Sequence, residues 1–122
     1  GPRQAASSIH YLLTAAAPRG RFHRVHSTIL HYLQSGGPVQ YVCIDAEGRI
    51  SETVLGYGAG QALYLQVPAG VWKCSRLLDG ADHALVSEVV IPAFDWADHE
   101  YLDASTLPAA VQQTLRAAQW LV

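Results

Sequence analysis

An all-β domain ending in a single helix is the fold class this sequence predicts, and three observations predict it. Short runs rich in β-branched and aromatic residues follow one another, with turn signals roughly every eight to twelve residues. Half of the 122 residues are hydrophobic and 15% are charged, the balance of one folded domain with a genuine core. Only the last stretch changes its hydrophobic period from two to that of a helix. Together these indicate a β-sandwich or β-barrel with a C-terminal helix.

The elements follow in order. "SIHYLLTA" (Ser8–Ala15) is aliphatic and aromatic and is broken by "APRG". "RFHRVHSTILHYL" (Arg21–Leu33) is long enough for a bent strand or two short ones, and "SGGP" ends it. "VQYVCID" and "GRISETVL" flank Asp45-Ala46-Glu47-Gly48, which reads as a hairpin turn. "ALYLQV" stops at Pro68-Ala69-Gly70, "VWKCSRLL" stops at "DGAD", and "HALVSEVVI" stops at Pro92. In "STLPAAVQQTLRAAQWLV", Ser105 or Thr106 can cap a helix over 105–122, with Leu107, Val111, Leu115 and Ala118 on one face. That face must pack on the β-domain (residues 7–104) or on a partner subunit.

A formal net charge of -2 and the lack of any Lys/Arg run give no electrostatic support for nucleic acid or an anionic membrane as partner. No apolar run reaches bilayer length and no signal peptide is visible, so a cytoplasmic protein is expected. Cys43 and Cys74 both lie in strand-like runs and are expected to be free, buried thiols. Gly1-Pro2 looks like a protease-cleavage scar, and residues 1–6 are expected to be disordered. Seven Arg against one Lys, with many Ala, suggest a GC-rich bacterial genome.

Four phrases in register carry a resemblance: "YLLT" (Tyr11–Thr14), "FHRV" (Phe22–Val25) with a later Gly36, "VPAGVW" (Val67–Trp72), and "LV" at Leu85 leading to "IPAFD" at Asp95. In this order they resemble the cupin superfamily of jelly-roll barrels, and most closely a small, poorly characterised cupin family. The resemblance implies a jelly-roll barrel and a homodimer. It also implies a place for a metal: His, His, Glu and a third His in a fixed pattern. Laid on this chain, those places fall on His23, Val25, Ile29 and Lys73. Two hydrocarbons have no lone pair to donate, and an ammonium repels a cation. His26 lies an odd number of residues from His23 and should face away from it. His31 shares its face but sits about 26 Å along a straight strand, so only a fold-back would bring the two together. No metal and no cofactor are therefore expected.

The vacated place would still be a cavity for a small molecule. With His23 inward, Val25 follows; with Lys73 inward, Ser75 and Leu77 follow, while Trp72 and Cys74 take the other face. His23 and Lys73 are the expected acid–base pair, with Glu88 of "LVSEVV" as a third catalytic candidate whose pKa burial would raise. Lys73 could act as a neutral amine or as a cation holding a substrate oxygen. His31, Gln40, Tyr41, Tyr64, Gln66 and Trp72 are candidate substrate contacts, being polar or aromatic residues in apolar runs. Asp98-His99-Glu100 reads as a solvated connector, because neighbours in an extended chain point apart. The expected function is a metal-independent isomerase, epimerase or cyclase acting on a small, mostly apolar oxygenated metabolite, as in bacterial secondary metabolism. A non-catalytic binding protein and a metal-dependent cupin are the alternatives.

Overall fold

A computed structural model describes residues 3–121. Gly1 and Pro2, read above as a cleavage scar, lie outside the described residues. The strands are β1 (Ser7–Thr14), β2 (His23–Arg24), β3 (Thr28–Gly36), β4 (Val39–Ile44), β5 (Ile50–Leu55), β6 (Tyr64–Val67), β7 (Trp72–Leu77), β8 (His83–Ile91) and β9 (Glu100–Tyr101), followed by helix α1 (Ala109–Ala117). They form two antiparallel sheets, β1-β8-β3-β6 and β5-β4-β7-β2-β9, the expected jelly roll. The long "RFHRVHSTILHYL" run becomes two strands, with the chain folding back between Arg24 and Thr28. The Asp45–Gly48 hairpin turn forms as read, its Asp45 side chain accepting from the backbone N–H groups of Glu47 and Arg49. Among the described residues no helix is long and apolar enough to cross a membrane.

Strand alternation divides the molecule into three zones. Inward residues near one end, Leu13, Leu33, Val39, Leu55, Leu77, Ala84 and Val86 with Tyr41, fill the space between the sheets. Their alternation partners toward the other ends of β1, β7 and β8 enclose a cavity instead. On the outer face of the five-stranded sheet, Val42, Ile44 and Cys74 pack with Phe22 against Leu115 and Trp120 from the C-terminal segment. β4 is thus covered on both sides. At the bulge where β3 shifts register against β8, Gly36 has φ +73°, and a Cβ there would come within 2.1 Å of the His83 carbonyl oxygen. Only glycine fits that approach.

The helix is shorter than the sequence suggests. Pro108 disfavours helical backbone at the residue before it, and Leu107 is extended (φ −77°, ψ 152°). Ser105 and Thr106 therefore do not cap α1. They belong to a separate 3₁₀ turn, Ala104–Thr106, capped by the Asp103 side chain. The expected apolar face is correct: Leu107, Val111, Leu115 and Ala118 all meet the sheet. At the helix C-terminus, Arg76 donates to the Ala118 carbonyl (2.9 Å) and Arg19 to that of Gln119, satisfying orphan acceptors at the negative end of the dipole. Within the segment expected to be disordered, Arg3 and Gln4 are tied to the fold. Arg3 donates to the Ala93 carbonyl (2.8 Å) and pairs with Asp98 (2.8 Å), and the Gln4 carbonyl accepts from the Ala93 N–H.

Candidate active site

The cavity between the sheets measures about 650 Å³. Ile9, Val25, Ile29 and Val90 supply hydrocarbon walls, and His23, Tyr41, Lys73, Ser75 and Glu88 supply the polar groups. His23 and Lys73 are cross-strand neighbours on β2 and β7, both facing in, as alternation predicts. Val25 and Ile29, at the other two metal-ligand places, line the same space.

Lys73 is only 4% exposed, so it is not the surface residue that a lone lysine usually is. Its Nζ donates to Glu88 Oε1 at 3.0 Å and to His31 Nε2 at 2.7 Å. Glu88 and His31 are directly opposite each other on β8 and β3, in the facing sheet. The lysine thus reaches from one sheet to bond a pair in the other, the ion pair supporting the cationic role over the neutral amine. His31 Nδ1 donates to the Leu65 carbonyl at 3.0 Å, which leaves Nε2 as the acceptor for Lys73. Burial, reinforced by the Lys73 charge, pulls the His31 pKa down to about 4, so its ring is neutral at neutral pH. An ammonium has three N–H donors, and these two bonds leave Lys73 one to offer a guest.

Glu88 departs from expectation. Burial pushes its pKa up, as the sequence suggested, but the charge of Lys73 and the neighbouring imidazoles outweigh that push and hold it below the ordinary carboxylate value. It is an ion-paired carboxylate, not a proton donor near neutral pH.

His23 Nδ1 donates to the Arg21 carbonyl at 2.8 Å, leaving Nε2 as the basic nitrogen. Burial first, and Lys73 second, lower its pKa, so it too is a neutral imidazole. Its ring stacks on His99 with centroids 5.3 Å apart and planes 17° apart. The Tyr41 hydroxyl is buried at the cavity wall without a hydrogen-bond partner, and burial raises its pKa. Tyr11 Oη and Ser75 Oγ lie 3.3 Å apart nearby.

Four expected substrate contacts lie elsewhere. Gln40 is on the outer face of β4, bonded to Glu52 and Arg76. Tyr64 and Gln66 are exposed on the outer face of β6 and bond each other at 3.0 Å. Trp72 faces outward under the Arg24 guanidinium, 4.1 Å from the ring centroid. The phase of alternation on β4 and β6 turns Gln40, Tyr64 and Gln66 outward, and on β7 Trp72 takes the face opposite Lys73, as alternation predicts. His31 belongs to the site, but as a buried support for Lys73; Tyr41 lines the cavity as expected.

The connector reading of Asp98-His99-Glu100 is half right. Asp98 pairs with Arg3 and Glu100 with Arg24, but His99 turns into the cavity mouth beside Phe94 and Trp96. Sequence reasoning missed these three lining residues, and with them Ser7, Ile9, Tyr11 and Val90, whereas Ser75 faces in beside Lys73 as alternation predicts. Period-two alternation within "SIHYLLT" could have found Ile9 and Tyr11 together. The irregular segment carrying Phe94, Trp96 and His99 has no period to read.

A metal does not fit. Val25 and Ile29 offer no donor atom, Lys73 is committed to Glu88 and His31, and His23 alone remains. Among the described residues no three His, Cys, Asp or Glu side chains gather as a ligand set.

Residues 1–102 match the family described as Cupin superfamily (DUF985). An uncharacterised protein of Saccharomyces cerevisiae, YML079W, is 39% identical over 105 residues, covering 82% of this chain and 52% of its own length. The chain thus spans about half of that curated relative. Among solved structures, protein SO0799 from Shewanella oneidensis superposes with a TM-score of 0.83 at 28% identity, over 96% of this chain and 74% of that one. A hypothetical protein from Leishmania major gives 0.75 at 26% identity, over 97% and 72%. A dTDP sugar isomerase from Desulfovibrio desulfuricans, 18% identical with a TM-score of 0.71 over 88% of this chain and 69% of that one, shares the fold.

Proposed function

The chain belongs to this DUF985 family of the cupin superfamily, and from that premise we propose that it is a metal-independent acid–base enzyme. Its reaction is the isomerisation, epimerisation or cyclisation of a small, mostly apolar molecule through proton transfer next to a carbonyl group. The observation that carries this reading is the Lys73–Glu88–His31 network flooring an otherwise apolar cavity, with neutral His23 beside it.

Each group has one task. His23 Nε2 takes a proton from the carbon beside the carbonyl; the electron pair of that C–H bond becomes the new C=C bond, and the carbonyl π pair moves onto oxygen. The oxygen accepts from the third N–H of Lys73 and from the unpartnered Tyr41 hydroxyl, donors already in place where charge develops. Protonated His23 returns the proton to a different carbon or face, which restores the carbonyl. Glu88 and His31 position Lys73 and do not touch the substrate. The hydrocarbon walls exclude water, which strengthens each of these contacts.

The test is deuterium exchange at the α-carbon of a ketone panel in D₂O, followed by NMR. Exchange above the buffer rate is expected, falling about 100-fold in His23→Ala. No exchange by the wild-type protein on any ketone that binds would refute the reading. It would favour the binding-protein alternative, for which the mutual satisfaction of Lys73, Glu88 and His31 is the supporting observation.

A further inference from the structure

The cavity mouth carries more aromatic surface than the fold needs. Phe94 and Trp96 meet edge to face at 4.9 Å, and Trp96 and His99 do so at 5.0 Å. His99 in turn lies flat against His23, which ties this collar to the proposed base. Trp96 is 72% exposed although it lines the cavity, so most of the indole is left uncovered by the described residues. The segment is nevertheless held firmly. The Phe94 N–H donates to Ser7 Oγ (2.9 Å), Asp95 caps the Trp96–Asp98 turn, and Arg3 anchors Asp98. A large aromatic ring fixed over an apolar cavity, with free ring surface, is a surface waiting for a flat partner.

The charges narrow the class further. Lys73 and Glu88 neutralise each other, and the walls of Ile9, Val25, Ile29 and Val90 offer no partner for another charge. Among the donors left unmatched inside are one ammonium N–H and the Tyr41 hydroxyl, both suited to a carbonyl oxygen. A volume of about 650 Å³ lies within the range of ordinary small-molecule pockets. We infer that the natural ligand is an uncharged, planar, conjugated carbonyl compound, its ring against Trp96, Phe94 and His99 and its oxygen toward Lys73 and Tyr41. This deepens the acid–base reading by naming its substrate class, but the binding preference stands independently of any chemistry.

The experiment compares acetophenone with cyclohexyl methyl ketone, which has the same carbonyl but a puckered, saturated ring. Binding is measured by calorimetry or ligand-observed NMR on the wild type, Trp96→Ala and Trp96→Phe. The wild type should bind acetophenone at least about fivefold more tightly. Trp96→Ala should abolish that preference with little change for the saturated ketone, and Trp96→Phe should keep most of it. Equal affinities in the wild type, an equal loss of both ketones in Trp96→Ala, or no acetophenone binding at its solubility limit would overturn the inference. The two readings fail separately. Preferential binding without α-deuterium exchange removes the chemistry and keeps the ligand class; exchange that ignores ring planarity does the reverse.

Discussion

Lys73 Nζ stands 2.7 Å from Nε2 of His31, a residue 42 positions earlier in the chain and in the opposite sheet. The contact works only while the imidazole is neutral, since a protonated ring would bring two cations into hydrogen-bond range.

That dependence gives the fold a one-sided pH response. The His31 pKa is 6.5 in an exposed chain and about 4 in the folded one, so its contribution to stability is complete above about pH 6.5 and is lost as pH falls through about 4. Between those limits the loss from this one group is at most about 1.4 kcal/mol per pH unit. Glu88 and His23, also lowered, act in the same direction. Urea midpoints should fall from pH 7 to pH 4, and more shallowly in His31→Gln. Parallel wild-type and mutant curves would remove His31 as the main source.

Breaking the ion pair from one side should be costly. Lys73→Met leaves the Glu88 carboxylate, 7% exposed, without its partner, and about 3 kcal/mol of stability should be lost. Adding Glu88→Gln should recover a large part, because the uncompensated charge is then gone. A double mutant no better than the single would mean that the stem of Lys73, not its charge, does the stabilising.

Elemental analysis of protein purified without a polyhistidine tag should find no stoichiometric transition metal. Added Mn²⁺ or Zn²⁺ should leave the melting temperature unchanged, since Val25, Ile29 and the paired Lys73 occupy the ligand places. A metal present at one equivalent would contradict the proposed metal-independent chemistry.

The helix contributes stability without touching the site. Leu115 is fully buried against the outer face of the five-stranded sheet, and Leu115→Ala should cost about 3 kcal/mol. Ligand binding should survive, because the cavity lies on the other side of that sheet. A loss of affinity matching the loss of stability would show that helix and cavity are coupled.

Much of the fold was legible in the sequence because antiparallel strands alternate. Fixing His23 and Lys73 as inward placed Val25 and Ser75 correctly, and His26 as facing away; it is 65% exposed at the side chain, near Asp98. His31 needed a fold-back to reach the site, and the break between β2 and β3 supplies it. Gln40 was misread because α1 covers the outer side of β4, where Val42 and Ile44 are as buried as Val39 and Tyr41 inside. A strand that is apolar on both faces does not reveal its phase. Glu88 was placed correctly but its titration was misjudged, since the partner that reverses the burial effect comes from the other sheet. His99 was lost to a short turn with no repeat. Its direction depends on the local Asp95 cap and on Arg3 holding Asp98, a contact between distant parts of the chain that no local pattern encodes.

The only lysine within these 122 residues is shut inside the barrel. The exterior of this stretch therefore owes its side-chain positive charge to arginine. Acetyl, methyl or ubiquitin transfer to a side-chain amine has no accessible target here, and amine-directed surface coupling would have to look beyond the domain's side chains. An amine reagent small enough to enter the barrel would, by the same token, report on whether the interior is already taken.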